Sequence, residues 1–147
     1  MAMYLLMLHD LDQSAELVVA ADELQKEDRT AEFVLLVPAT PVPTLDALLE
    51  PSFSPTRFAR RRAQRVRDRL LAAGLHLLAT RLGNFDPVRA VEDALRFTNY
   101  AAVVVATPEH KLLHLVHCDL PCRLARRFPQ TRVIHASTLL PPPATRG

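Results

Sequence analysis

Two rhythms of apolar and polar residues succeed each other along this chain, and their succession lays out a fold. Tyr4–His9, Phe33–Val37, Leu75–Leu82, Ala101–Ala106 and Arg132–His135 are short blocks dominated by Leu, Val, Ile and other apolar residues. Blocks of this length, bounded by turn residues, predict strands of a parallel sheet that is covered on both faces. Between the blocks, apolar residues recur every three or four positions. Leu17, Ala20, Ala21 and Leu24 form one such stripe, and Ala59, Ala63, Val66 and Leu70 a second. Val88, Val91 and Leu95 form a third, with Ala90, Ala94 and Phe97 beside them. That period predicts helices with one inward face. The pattern is sharpest from Leu75 to Pro108, which reads strand, helix, strand: Gly83-Asn84 closes one strand, Asp86-Pro87 opens a helix, and Thr107-Pro108 ends the next strand. Asp accepts from the orphan amides of a first turn, and Pro sits there without losing a hydrogen bond.

The remaining boundaries follow the same punctuation. Asp10-Leu11-Asp12 caps a helix running to about Asp28, and Ser54-Pro55 starts one that runs to Ala73. Gly74 ends that helix in the left-handed conformation glycine tolerates best. Asp119-Leu120-Pro121 begins a last helix through Arg127. Periodicity alone leaves open whether Met1–Leu8 is a strand or part of a longer helix. Five prolines from Pro38 to Pro55 mark a long connection with room for one helical turn at Leu45–Leu49, and Glu109–Cys118 reads as irregular. Residues 1–137 are expected to form one α/β domain, and 138–147, with Pro141-Pro142-Pro143, a disordered tail. Five strands alternating with four helices through right-handed crossovers give a three-layer, Rossmann-like α/β sandwich.

Composition narrows the class. A chain of 147 residues suits a single domain. It has no apolar run near the roughly 20 residues of a membrane-spanning helix and no basic leader ahead of Met1–Leu8, so a cytoplasmic protein with no membrane partner is expected. Two cysteines make no disulfide framework. The net charge of +2 conceals a split. Residues 1–53 carry ten acids against Lys26 and Arg29, net −8, whereas residues 54–147 carry six acids against sixteen bases, net +10. Such fields favour association between opposite patches. No Gly-x-Ser-x-Gly elbow, dinucleotide Gly-x-Gly-x-x-Gly or P-loop is present, and Ser14, Ser52, Ser54 and Ser137 have no His/Asp setting, so catalysis is not expected.

Three patches, in this order and spacing, resemble the universal stress protein family over about residues 4–136. Asp10-Leu11-Asp12-Gln13-Ser14-Ala15 is similar to the family's Asp-x-Ser-x-x-Ala, with Asp12 where Ser is usual. Gly83-Asn84-Phe85-Asp86-Pro87 followed by Ala90 resembles its Gly-x-x-x turn and alanine-bearing helix. Ala101–Thr107 with Asp119-Leu120-Pro121-x-Arg123 resembles an actinobacterial-type branch. The resemblance implies a five-stranded sheet in the order 3-2-1-4-5, a homodimer, and a role as a binding or signalling module in stress response. It also implies a division into members that bind ATP and members that do not. Binders carry a Gly-x-x-Gly motif and a later Gly-Ser/Thr after the fourth strand. Here that stretch is Thr107-Pro108-Glu109-His110-Lys111-Leu112, and no glycine occurs between Gly83 and Gly147. A phosphate cradle needs closely approaching amides and φ > 0, which glycine permits. Pro108 offers no amide and Glu109 repels phosphate. No cofactor is therefore expected; weak holding of ATP or AMP is the alternative.

In a sheet of this order the crevice opens at the carboxyl ends of strands one and four, which places Asp10, Val37, Ala39 and Thr107 around it. In ATP-binding relatives the matching Asp and the backbone after the second strand approach base and ribose. The plainer role of Asp10 and Asp12 is helix capping, worth about 0.5–2 kcal/mol. His110, His114, His117, Cys118 and Cys122 are metal-capable but match no zinc spacing, and leucines interleave them, so no metal is expected. Cys122 reads as a buried inert thiol, its alternative being a thiol acidified by the helix dipole. Arg57, Arg60, Arg61, Arg62, Arg65, Arg67 and Arg69 share one helix with Asp68. Arg57, Arg61, Arg65 and Arg69 define a basic face whose plain reading is a solvated surface and whose alternative is polyanion or nucleic-acid binding. Base stacking would need interleaved aromatics, and none lies from Arg60 to Arg69.

Overall fold

The central apolar blocks become strands that helices cover from both sides. The computed structural model of the chain describes residues 2–8, 14–39, 55–84, 86–106 and 120–136. Its elements alternate as β1 (Met3–Leu8), α1 (Ser14–Glu27), β2 (Glu32–Pro38), α2 (Pro55–Ala72), β3 (Leu77–Gly83), α3 (Pro87–Phe97), β4 (Ala102–Ala106), α4 (Leu120–Arg127) and β5 (Val133–His135). The five strands form one parallel sheet in the order β3-β2-β1-β4-β5. Met1–Leu8, open between strand and helix on periodicity, supplies the central strand: Leu5 lies between Val34 and Val103, and Met7 between Leu36 and Val105. A strand paired on both edges and covered on both faces has no use for polar side chains, and Leu5–Leu8 are wholly inaccessible to solvent.

Side-chain alternation sends odd and even strand positions into two cores. Leu6, Leu8, Leu35, Val37, Val104 and Ala106 pack beneath α1 and α2. Leu5, Met7, Val34, Leu36, Val103 and Val105 pack beneath α3 and α4. The helices present the expected stripes: Leu17, Ala20, Ala21 and Leu24 of α1, Ala59, Ala63, Val66 and Leu70 of α2, and Ala90, Val91 and Ala94 of α3 are all buried. Phe97 is a correction. It is 81% exposed at the last residue of α3, where the helix's buried stripe of Ala90, Val91 and Ala94 has ended.

The ends of the elements are fixed by local chemistry. Asp86 caps α3, its carboxylate accepting from the Val88 amide at 3.0 Å with Pro87 in the first turn. Gly74 closes α2 at φ +81°, where an L side chain is strained. Gly83 has a different reason: a Cβ there would lie 2.6 Å from Ala90 Cβ and 3.0 Å from Leu36 Cδ1, so its absence lets α3 sit down on the sheet. Gln25 of α1 clasps the turn into β3, donating to the Gly74 carbonyl and accepting from the His76 amide, both at 3.0 Å.

β3 starts at Leu77, two residues later than its apolar block, and it is an edge strand. Its ladder with β2 slips between Phe33↔Leu77 and Val34↔Ala79, leaving Leu78 as an extra residue that is 53% exposed. Such a bulge blunts an otherwise open edge. The helical turn expected at 45–49, the irregular stretch 109–118 and the tail 138–147 lie outside the described residues.

Candidate ligand crevice and basic helix

The strand order creates one topological switch point. After β1 the chain passes to α1 on one face of the sheet, and after the adjacent β4 it passes to α4 on the other. Leu8 is paired with Ala106 at the neighbouring carboxyl ends of these strands, and in open parallel sheets such a point is where a ligand crevice is expected. Asp10 follows Leu8 by two residues and Thr107 follows Ala106 directly; both lie outside the described residues. Val37 and Ala39 are at the carboxyl end of β2, beside the end of β1. The Val37 side chain is wholly buried under α1 and α2, so only its backbone is left to face a ligand. Ala39 is half-buried, and its amide donates to the Gly83 carbonyl at 3.2 Å, prolonging the β2–β3 pairing past Pro38.

Ser14 and Arg62 were not among the residues expected near this end of the molecule. Ser14, the first residue of α1, is 1% exposed, and its hydroxyl accepts from the Arg69 guanidinium. This bond ties α1 to α2. Arg62 is 7% exposed, unlike its neighbours on α2. The signal for Arg62 was its position four residues before the buried Val66, on the flank of the apolar stripe. A buried serine opening an apolar helix is no signal for an arginine 55 residues away.

The other arginines of the basic face behave as a surface. Arg57, Arg61, Arg65 and Arg69 are exposed, as are Arg60 and Arg67. Arg61, Gln64, Arg65 and Asp68 border a shallow groove of about 360 Å³ along the outside of α2. A second groove, about 340 Å³, runs between Arg67 and Leu71 of α2 and the bulged segment of β3.

Cys122 corrects the thiol reading: it is half-buried and disulfide-bonded, so it offers no thiol to titrate. His110, His114, His117 and Cys118 lie outside the described residues. Among the described residues, no group of three or more His, Cys, Asp or Glu side chains is placed to hold a metal ion, and no helix is long and apolar enough to cross a membrane.

No protein-family model matches the sequence, and no curated protein does. Solved structures do match. A protein of the universal stress protein family from Burkholderia pseudomallei aligns with a TM-score of 0.54 at 18% identity, over 90% of this chain and 93% of its own. A universal stress protein in complex with cAMP gives 0.59 at 18% identity, over 91% and 96%. The universal stress protein from Archaeoglobus fulgidus gives 0.60 at 13% identity, over 90% and 92%. Likeness at such identities is likeness of fold, and this chain has the universal stress protein fold: a five-stranded parallel sheet ordered 3-2-1-4-5 between two helical layers.

Proposed function

We propose that the protein is a cytoplasmic stress-response binding module of the universal stress protein type, homodimeric, without catalysis of its own or a resident cofactor. Its ligand enters the crevice between the ends of β1 and β4 and is held by base and ribose rather than by a triphosphate grip. The observation that carries this reading is the switch point between Leu8 and Ala106, combined with a sequence that has no glycine from residue 84 to residue 146. An anion cradle without glycine cannot bring successive amides close to β- and γ-phosphates. One neighbour of the same fold is a complex with cAMP, a nucleotide with a single phosphate. That supports an adenine nucleotide of low phosphate charge as the ligand class.

Dimerisation is supported by β5, a three-residue strand at the edge of the sheet among the described residues and without the bulge that blunts the edge at β3. Native mass spectrometry of freshly purified protein tests the reading as a whole. It should report a dimer, with any carried nucleotide a mono- or cyclic phosphate. A monomer would overturn the dimer, and stoichiometric co-purified ATP would overturn the reading of the crevice.

A further inference from the structure

The basic face of α2 lies on the outside of one helical layer, and it concentrates positive charge on a single element. Lys26 reaches both Asp22 and Glu23 at 3.3 Å, and Arg127 reaches Glu92 at 3.2 Å; what distinguishes α2 is the density of its exposed arginines on one helix. On α2, Arg60, Arg61, Arg65 and Arg67 are exposed, and none of them pairs with a carboxylate among the described residues. Asp68 is the helix's single acid. We infer that the outward face of α2 is a docking surface for the phosphate backbone of double-stranded nucleic acid.

Four features select this occupant. Arginine presents a planar fork that matches phosphate oxygens two at a time, and the face uses arginine throughout. Arg61 and Arg65 are one turn apart, about 6 Å along the axis, and Arg60 and Arg67 extend the charge along the flank toward β3, so the positive surface is elongated rather than a point. A free nucleotide needs enclosure, which a convex helix with a shallow groove does not offer. An anionic membrane would need an apolar face to insert, and the apolar face of α2 (Ala59, Ala63, Val66, Leu70) is already spent in the core. Single-stranded nucleic acid would need a series of stacking aromatics along the basic helix, and α2 has one, Phe58. The contact is therefore with a duplex backbone, and it reads no sequence.

Fluorescence anisotropy of the full-length protein with a labelled mixed-sequence 20-bp DNA duplex tests this. Neutralising about four phosphates makes binding about a hundredfold weaker between 50 and 200 mM salt. Arg61→Gln/Arg65→Gln and Arg60→Gln/Arg67→Gln should each reduce the salt slope by about two, while Arg61→Lys/Arg65→Lys should retain it. Circular dichroism establishes that each variant is folded, and Arg126→Gln/Arg127→Gln should leave affinity and slope unchanged. The inference is overturned by no duplex binding at 50 mM salt, by an unchanged slope in folded glutamine variants, or by binding to anionic vesicles without binding to duplex.

Discussion

Individual residues set limits that the helical and strand patterns do not express. Gly83 is required by distance: the methyl group of Gly83→Ala would drive into Ala90, a contact between backbone-anchored atoms that cannot swing away. Overpacking of this kind costs about 1–3 kcal/mol, and urea denaturation should show a loss in that range. Ala90→Gly in the same chain should recover part of it, since it removes the opposing Cβ. Asp28 makes a titratable contribution. Its carboxylate accepts from the Thr30 hydroxyl at 2.6 Å and from the Thr30 amide at 3.0 Å, and these bonds hold its pKa below the ordinary 3.8. A depressed carboxyl stabilises the fold above its unfolded pKa and loses that contribution as pH falls through the folded value. Stability of the native protein relative to Asp28→Asn should therefore converge below pH 3.8, the difference appearing only at higher pH. Equal pH profiles would remove Asp28 from the account.

At the scale of elements, helices were more legible than strand edges. Val91 and Ala94 were readable as inward because a helix in contact with a sheet shows its apolar stripe in the sequence. Phe97 continued that stripe yet faces solvent, because periodicity does not report where burial along a helix ends. Arg62 was read with the solvated arginines, although its place on the flank of the stripe buries it. The bulge at Leu78 was invisible, since register is a property of two strands and the sequence displays each alone. The cap of α3 was fully legible in Asp86-Pro87. Asp86→Ala should cost about 1 kcal/mol by removing the acceptor for the Val88 amide, and thermal melts read this directly. The Gln25 clasp predicts a local effect. Gln25→Ala should speed amide exchange at His76 while leaving the strand amides of β1 at their original protection, because only the His76 amide donates to Gln25. Unchanged exchange at His76 would show that the turn holds itself.

For the whole molecule, the sheet order sets a topological switch point, and that order was legible. Given parallel strands in the order 3-2-1-4-5, the switch point between β1 and β4 is a geometric consequence, which is why β2's carboxyl end was anticipated as a neighbour. The orientation of Val37 was not anticipated, because it depends on parity with Leu35 under α1 and α2. The clustering of arginine on α2 was plain in the sequence, but which of them are exposed, and that Arg62 is not, required neighbours in three dimensions. The same organisation sets apart the two places proposed to meet anions: the switch point at one end of the sheet, followed by a sequence without glycine, and the arginine surface on one helical layer. Isothermal titration of the purified protein with AMP, cAMP and ATP probes the first of these most directly. If no triphosphate grip exists, the added phosphates contribute nothing, and ATP binds no tighter than AMP or cAMP. ATP binding tenfold or more tighter than AMP, a gain of about 1.4 kcal/mol from the β- and γ-phosphates, would contradict the account.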